Sequence, residues 1–290
     1  MRRRLRRSGV VVAAMATALG GLVPAQPAAA ATVIYVDQDA GGGEDGSSWS
    51  DAYTDLQDAL AAALAGDEIR VAEGTYRPGP AGDRSATFAL VDGVRMTGGY
   101  PTGGGAVADP DTHQTVLSGD LAADDLSGRG KRVENSYSVV SATGVGSSTV
   151  IDGFTITAGN ADEPARNEGG GMRNDAASPT IVNTTITDNF ASFGGGIHNT
   201  SGSSPAIRAT TISGNTAAGS GGGIYNDDSS PTITGTTIAA NTAGSPSGGG
   251  GGIHNVSSSP TIVHTAISHN TAAGSGGGMH NVSSSPTIVS

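Results

Sequence analysis

Between residues 161 and 290 the apolar side chains come one at a time, each inside a short polar frame that recurs: "GGGIYN", then "SSPTIT", then "TTIAAN". Pieces of three to five residues such as "GGIYN", "PTIT" and "TTIA", set between Gly, Asn, Asp and Ser, predict short β-strands separated by turns. The first frame places its Asn at Asn174, Asn199, Asn226, Asn255 and Asn281, in steps of 25, 27, 29 and 26 residues. The second carries Pro179, Pro205, Pro231, Pro260 and Pro286. The third carries Ile186, Ile212, Ile238 and Ile267, each followed three residues later by Asn189, Asn215, Asn241 and Asn270. A looser copy, "IDGFTITAGN", occupies residues 151–160. Nearly all the length variation falls after the two Asn positions, which marks those as loops.

A period near 26 residues without helical patterning is too short for a propeller blade. It predicts a parallel β-helix with three short strands per coil, successive coils stacking at about 4.8 Å. Ile181, Ile207, Ile233 and Ile262 then form one buried column, and Ile186, Ile212, Ile238 and Ile267 another. Asn189, Asn215, Asn241 and Asn270 form an amide ladder at corners where Asn tolerates a left-handed backbone. The Gly triplets allow tight turning with no Cβ in the way. On this reading the repeated residues are scaffold.

The amino-terminal part is not repetitive. Val33 to Val36 reads as a short strand, followed by a polar Gly-rich loop. Thr54 and Gln57 have the spacing of a capping box. Leu56, Leu60 and Leu64 share one helix face, with Gly66 as a stop. "DEIRVAEGTY" reads as the first coil strand, and a solenoid needs its apolar end covered, a task this helix suits. From Arg77 to Val150 the periodicity is weak, which suggests three or four irregular coils with longer loops. The organisation expected is a leader over 1–31, strand and capping helix over 32–76, irregular coils over 77–160 and regular repeats over 161–290. The chain stops inside a coil, at "SSSPTIVS", and this predicts a fragment or truncated reading frame.

The first 31 residues have the layout of a secretory signal peptide: five Arg, an apolar run from Gly9 to Leu22, Pro24 and an Ala tract. A secreted or cell-surface protein is expected, with no membrane span in the mature chain. The full sequence has 15 Lys and Arg against 26 Asp and Glu, a net charge of −11; without the five leader arginines it is −16. Such a surface argues against a nucleic-acid partner. Cys is absent, so neither disulfides nor thiolate metal sites contribute.

"IYVDQDAGGGEDGSSWSDAYTDLQDALAAALAGDEIRVAEGTY" resembles the start of secreted bacterial right-handed parallel β-helix proteins of the pectate-lyase-like superfold. "TVLSGDL", "STVIDGFTITAGNA" and the "GGGI…SSPTI…TTISGN" repeats extend the likeness over residues 32–290. The repeats also resemble those of polymorphic outer membrane proteins, with Gly194-Gly195-Gly196-Ile197 and Ile212-Ser213-Gly214-Asn215 matching the family pattern except for Gly in place of Ala and Ile in place of Phe. The resemblance implies an all-β, right-handed parallel β-helix (solenoid) with an N-terminal capping helix, in a class rich in surface proteins.

Candidate chemistry is sparse. Polysaccharide lyases of the superfold use a Lys or Arg base with carboxylate-bound Ca²⁺; the one Lys, Lys131, stands with Arg132 near Asp124 and Asp125, where a solvated salt bridge explains them as well. Hydrolases of the superfold use paired carboxylates. Asp227-Asp228 is the one adjacent pair inside a repeat, it lies where a turn favours Asp, and the superfold's Gly-His-Gly and Arg-Ile-Lys pieces are missing. Asp37, Asp39, Glu44 and Asp45 are weak candidates for Ca²⁺, without EF-hand spacing; no other cofactor is expected. Thr185, Thr211 and Thr237 suggest an ice-binding array, but the column fails at Ala266.

One column offers ligand contacts. Period-2 alternation places Arg173, His198, Tyr225, His254 and His280 outside, on one face, one coil apart. Rings so spaced suit stacking on sugars, and His254 with His280 suit a shared transition metal. Strand exteriors also favour such residues without any ligand. The expectation is a non-catalytic exported protein, adhesive or carbohydrate-binding, with a polysaccharide or cell-surface glycan as partner. The alternative is a polysaccharide lyase or glycoside hydrolase with its site in the irregular coils between Arg77 and Arg166.

Overall fold

The computed structural model describes residues 31–125 and 132–290. The leader over 1–31, apart from Ala31, and Lys131 lie outside the described residues. Short strands wind into a parallel solenoid in which every strand-to-strand ladder is parallel. The longest sheet has nine strands: Val33–Val36, Glu68–Ala72, Arg95–Tyr100, Val150–Asp152, Thr180–Val182, Ala206–Arg208, Thr232–Thr234, Thr261–Val263 and Thr287–Val289. Two seven-stranded sheets and a five-stranded one complete the wall. The three strands expected per coil are therefore four in the regular part. The additional short strand, such as Thr216–Ser220, lies between the ladder Asn and the Gly triplet, where length varies most.

The side-chain columns stand as the period predicts. Ile181, Ile207, Ile233 and Ile262 are register partners in sequence, as are Ile186, Ile212, Ile238 and Ile267. All but Ile267 are buried in one continuous core. Each buried Ile contributes about 2–3 kcal/mol of apolar transfer relative to exposure. Asn189, Asn215, Asn241 and Asn270 form the predicted ladder, each Nδ2 donating to the next Oδ1 at 3.0–3.1 Å. A second ladder joins Asn174, Asn199, Asn226, Asn255 and Asn281 at 2.8 Å per step. Its members sit two residues after the buried Ile or Met, on the same inward face of the strand.

The left-handed corners fall elsewhere than expected. They lie at the residues just before the first ladder, Asp188, Gly214, Ala240 and His269, rather than on its asparagines. In each triplet the first Gly has positive φ, as at Gly194 (64°) and Gly221 (69°). The second and third have a different constraint: a Cβ on Gly222 would stand 2.5 Å from Thr242 O and 2.6 Å from Gly251 O in the next coil.

The helix spans Leu56–Ala62 and covers the amino-terminal end with Leu56, Ala59 and Leu60. Its N-cap is Asp55, whose carboxylate accepts from Gln57 N, so the capping box at Thr54 does not form; the Thr54 hydroxyl donates to Glu44 instead. Gln57 is drawn off to donate to the carbonyls of Pro78 and Thr87. The helix closes at Ala63, before Gly66, and leaves Leu64 65% exposed. "DEIRVAEGTY" forms two strands, Glu68–Ala72 and Gly74–Tyr76, and the sheet begins one rung earlier, at Val33–Val36. Residues 77–150 hold one full circuit (Phe88–Ala89, Arg95–Tyr100, Thr115–Ser118) and the start of the next, fewer coils with longer excursions than the sequence suggested.

Candidate functional site

Three of the excursions from the coils meet on one face. Loop residues 84–87, 137–138 and 164–168 stand over the sheet formed by Phe88–Ala89, Val140–Thr143, Met172–Asp175 and Ile197–Thr200, and enclose a groove of about 580 Å³. Hydrogen-bonding side chains dominate its wall, among them Ser85, Tyr137, Ser141, Asn167, Glu168 and Arg173. Tyr137 is set by guanidiniums: Arg84 lies 4.3 Å and Arg166 5.5 Å from its ring centre, distances at which a cation is attracted to the ring. Arg84 is fixed in turn by the carbonyls of Asn135 and Asn160 and by Asp162 at 2.6 Å. A hydrogen bond with Glu163 raises the Tyr137 phenol above its ordinary range, so it is a neutral hydroxyl at physiological pH.

At the far end of the groove three charged or titratable side chains converge. One oxygen of Glu168, Oε2, accepts from Arg173 Nε at 3.2 Å and faces His198 Nδ1 at 3.7 Å. Arg173 also donates to Asp175 at 3.1 Å. Asp175 is held below the usual carboxylate range, chiefly by a hydrogen bond from Ser201 and further by Arg173. His198 is 3% exposed, its Nδ1 lacks a hydrogen bond, and burial pushes it down to about 4 against the opposing pull of Glu168. It is therefore neutral at pH 7.

This depression has a measurable consequence. Above pH 6.5 the imidazole is neutral whether the chain is folded or not. Between 6.5 and about 4 the unfolded chain takes up a proton that the folded chain refuses, so stability falls across that window and levels off below it. The difference corresponds to about 3 kcal/mol. Replacing His198 with Phe should flatten the decline in urea midpoint between pH 6.5 and 4; an unchanged slope rules the assignment out.

The predicted column is in register, Arg173 to His198 to Tyr225 to His254 to His280. It is not an open face. His198 and His254 are buried, because the segments that form the fourth sheet and its loops fold over them. Phe193 meets the Tyr225 ring edge-on at 5.3 Å, and Gly249 O lies 3.1 Å from His254 Nδ1. The rings stack on one another instead, His198 on Tyr225 at 5.1 Å and Tyr225 on His254 at 5.0 Å. His280 reaches His254 through their Nδ1 atoms at 3.3 Å. Of the five, Arg173 alone lines the groove.

The remaining candidates are placed otherwise. Asp37, Asp39, Glu44 and Asp45 do not converge. Asp37 accepts from the backbone N–H groups of Asp39 and Gly103, Asp45 accepts from Ser47, and Glu44 receives the Thr54 hydroxyl. Asp37, Glu44 and Asp45 are thereby engaged in loop and turn contacts, and Asp37 and Asp39 line one depression with Ala40, Gly41 and Gly42. Asp228 occupies a left-handed turn (φ 48°) shared by Ala176, Ser201, Ser257 and Ser283, so the Asp227-Asp228 pair is a turn feature. Arg132 is buried and braces the next coil through the backbone and carboxylate of Asp188. Asp124 and Asp125 approach Asp120 and Glu134, a cluster whose last two members the sequence did not connect. Glu134 is raised there, chiefly by burial and then by Asp124. Among the described residues no helix is long and apolar enough to cross a membrane.

The groove has no periodic signature, since its lining residues lie up to 88 positions apart, on three loops and two strands, and share no period. The available signal was the break in the repeat between residues 77 and 160, where the coils lengthen on one side.

Residues 40–249 match the family model described as "Protein of unknown function (DUF1565)". A search of the curated proteins gives no match. Among solved structures, that of pectate lyase Pel9A aligns with a TM-score of 0.50 at 16% identity, over 82% of this chain and 55% of the other. The chain thus spans about half the length of that lyase, and the likeness is one of fold. The pectin methylesterase of Aspergillus niger in deglycosylated form aligns with a TM-score of 0.34 at 12% identity, over 91% and 85% of the two chains.

Proposed function

We propose, for a chain that belongs to the DUF1565 family of proteins of unknown function, a non-catalytic role in holding a glycan in the groove beside Tyr137. The observation that carries this is the wall itself: hydroxyls of Ser85, Tyr137 and Ser141, the amide of Asn167 and the charged ends of Glu168 and Arg173 line one groove over the sheet. A polyol is recognised by many donors and acceptors held in place, and here Ser141 and Arg173 stand on sheet strands while Arg84 and Arg166 pack against Tyr137. The leader-like amino terminus and the resemblance of the repeats to polymorphic outer membrane proteins add a cell-surface or extracellular setting, with adhesion as the use.

Binding to an array of plant, microbial and animal polysaccharides tests the reading, with Tyr137→Ala as the probe of position. Loss of that side chain removes a hydroxyl and the ring over which Arg166 lies, and affinity should fall about tenfold, the equivalent of one to two hydrogen bonds. Retention of full affinity by Tyr137→Ala moves the ligand elsewhere. Release of soluble oligosaccharides at neutral pH replaces the non-catalytic role with the lyase or hydrolase alternative.

A further inference from the structure

We infer that the glycan of this groove is a neutral polysaccharide, read through hydroxyls donated to Glu168, and not a polyuronate or a sulfated chain. The inference rests on the proposed glycan-binding role and names its ligand class. It follows from how the charges are already committed.

Three charged side chains line the groove: Arg166, Glu168 and Arg173. Arg173 is neutralised twice, by Glu168 at 3.2 Å and by Asp175 at 3.1 Å. Arg84, behind Tyr137, is held by Asp162 at 2.6 Å and stands 3.8 Å from Glu163. That leaves the Arg166 guanidinium, which lies over Tyr137, without an ion pair among the described residues. A polyanion presents a charge on every residue or every second one and needs a row of available cations. One guanidinium is no row, and the chain around it carries a net charge of −11, which repels a polyanion at a distance. A neutral chain meets neither obstacle.

The same geometry leaves an acceptor for hydroxyls. Arg173 and His198 both address Oε2 of Glu168, and Oε1 accepts no hydrogen bond from the described residues. A carboxylate oxygen without a donor, on a side chain that lines the groove, takes a sugar hydroxyl in a charge-assisted bond, stronger than one to a neutral acceptor. The neutral His198 ring packs behind this carboxylate and serves as a positioning residue, fixed by its stack on Tyr225.

Affinity electrophoresis of the full chain tests this with gels containing β-glucan, galactomannan or xyloglucan on the neutral side, and polygalacturonate or alginate on the anionic side. Retardation by at least one neutral polymer is expected, unchanged within twofold between 50 and 500 mM NaCl, and weakened at least tenfold by Glu168→Gln. Preferential retardation by polygalacturonate or alginate, falling steeply with salt, overturns the inference and leaves glycan binding standing. Neutral binding that survives Glu168→Gln within twofold also overturns it. Retardation by no polymer of either class removes the glycan role itself. Should Glu168→Gln fail to fold, Ser85→Trp takes its place, since it narrows the groove from an exposed loop position; unaltered neutral binding by that variant counts against the inference.

Discussion

Alanine at Gly222 is expected to destabilise the protein by more than about 3 kcal/mol, although it adds a single methyl group to a residue with an ordinary backbone conformation. The Cβ would stand 2.5 Å from Thr242 O, 2.6 Å from Thr242 N and 2.6 Å from Gly251 O. All three obstacles are backbone atoms of the next coil, held by the ladder that joins Gly222 N to Gly250 O and Gly223 N to Gly251 O. No rotamer change relieves such a contact, so the two coils must separate locally and give up those hydrogen bonds. Gly235 provides the contrast. Its φ is 59°, nothing lies within 4 Å of its Cβ position, and Asn183, Ala209 and His264 occupy the same corner in other coils at 45–48°. Gly235→Ala should cost about 1 kcal/mol, the left-handed penalty alone. Urea midpoints of the two variants decide the matter. If Gly222→Ala is as mild as Gly235→Ala, close coil-to-coil approach is not what the triplets are for.

Asn215→Ala should cost about 2–5 kcal/mol. The Asn215 amide donates to Ile186 O at 2.8 Å and to Asn241 Oδ1 at 3.1 Å, while its own Oδ1 accepts from Asn189 N and Nδ2. Truncation leaves the buried Asn189 N–H without an acceptor, at about 1–3 kcal/mol, and removes the amide's own bonds to Ile186 O and Asn241 Oδ1. Asn183 is exposed and makes one side-chain bond, 3.0 Å to Asp152. Its replacement by Ala should stay within about 1 kcal/mol, the left-handed penalty included. Equal thermal shifts in the two variants contradict a ladder that carries stability.

The regular coils were readable because their constraint is periodic. Identical side chains must lie over one another, so Ile186, Ile212 and Ile238 announce themselves by spacing, and so does the Asn that follows each by three. The second ladder was visible as a fixed Asn but not as a ladder, although alternation from Ile197 already points Asn199 inward. What the spacing did not contain was any contact between segments with no common period. Strand alternation turned His198 and His254 outward correctly, yet the outer side there is covered by neighbouring loops, and this depends on how far Phe193 and Gly249 fold back. The cap moved from Thr54 to Asp55 for a similar reason: both are competent, and a distant Glu44 engaged the threonine. The groove combines three such non-periodic excursions, and only the location of the alternative site, between Arg77 and Arg166, came near it.

The backbone bonds between coils point along the solenoid axis, and this gives the molecule a directional mechanical character. Tension applied end to end meets the bonds of one inter-coil seam at a time, so the rod yields in small steps, like a stack unpeeling. Tension applied across the rod meets many seams side by side and is shared among them. A load applied through the lateral groove would therefore act along the strong direction of the fold.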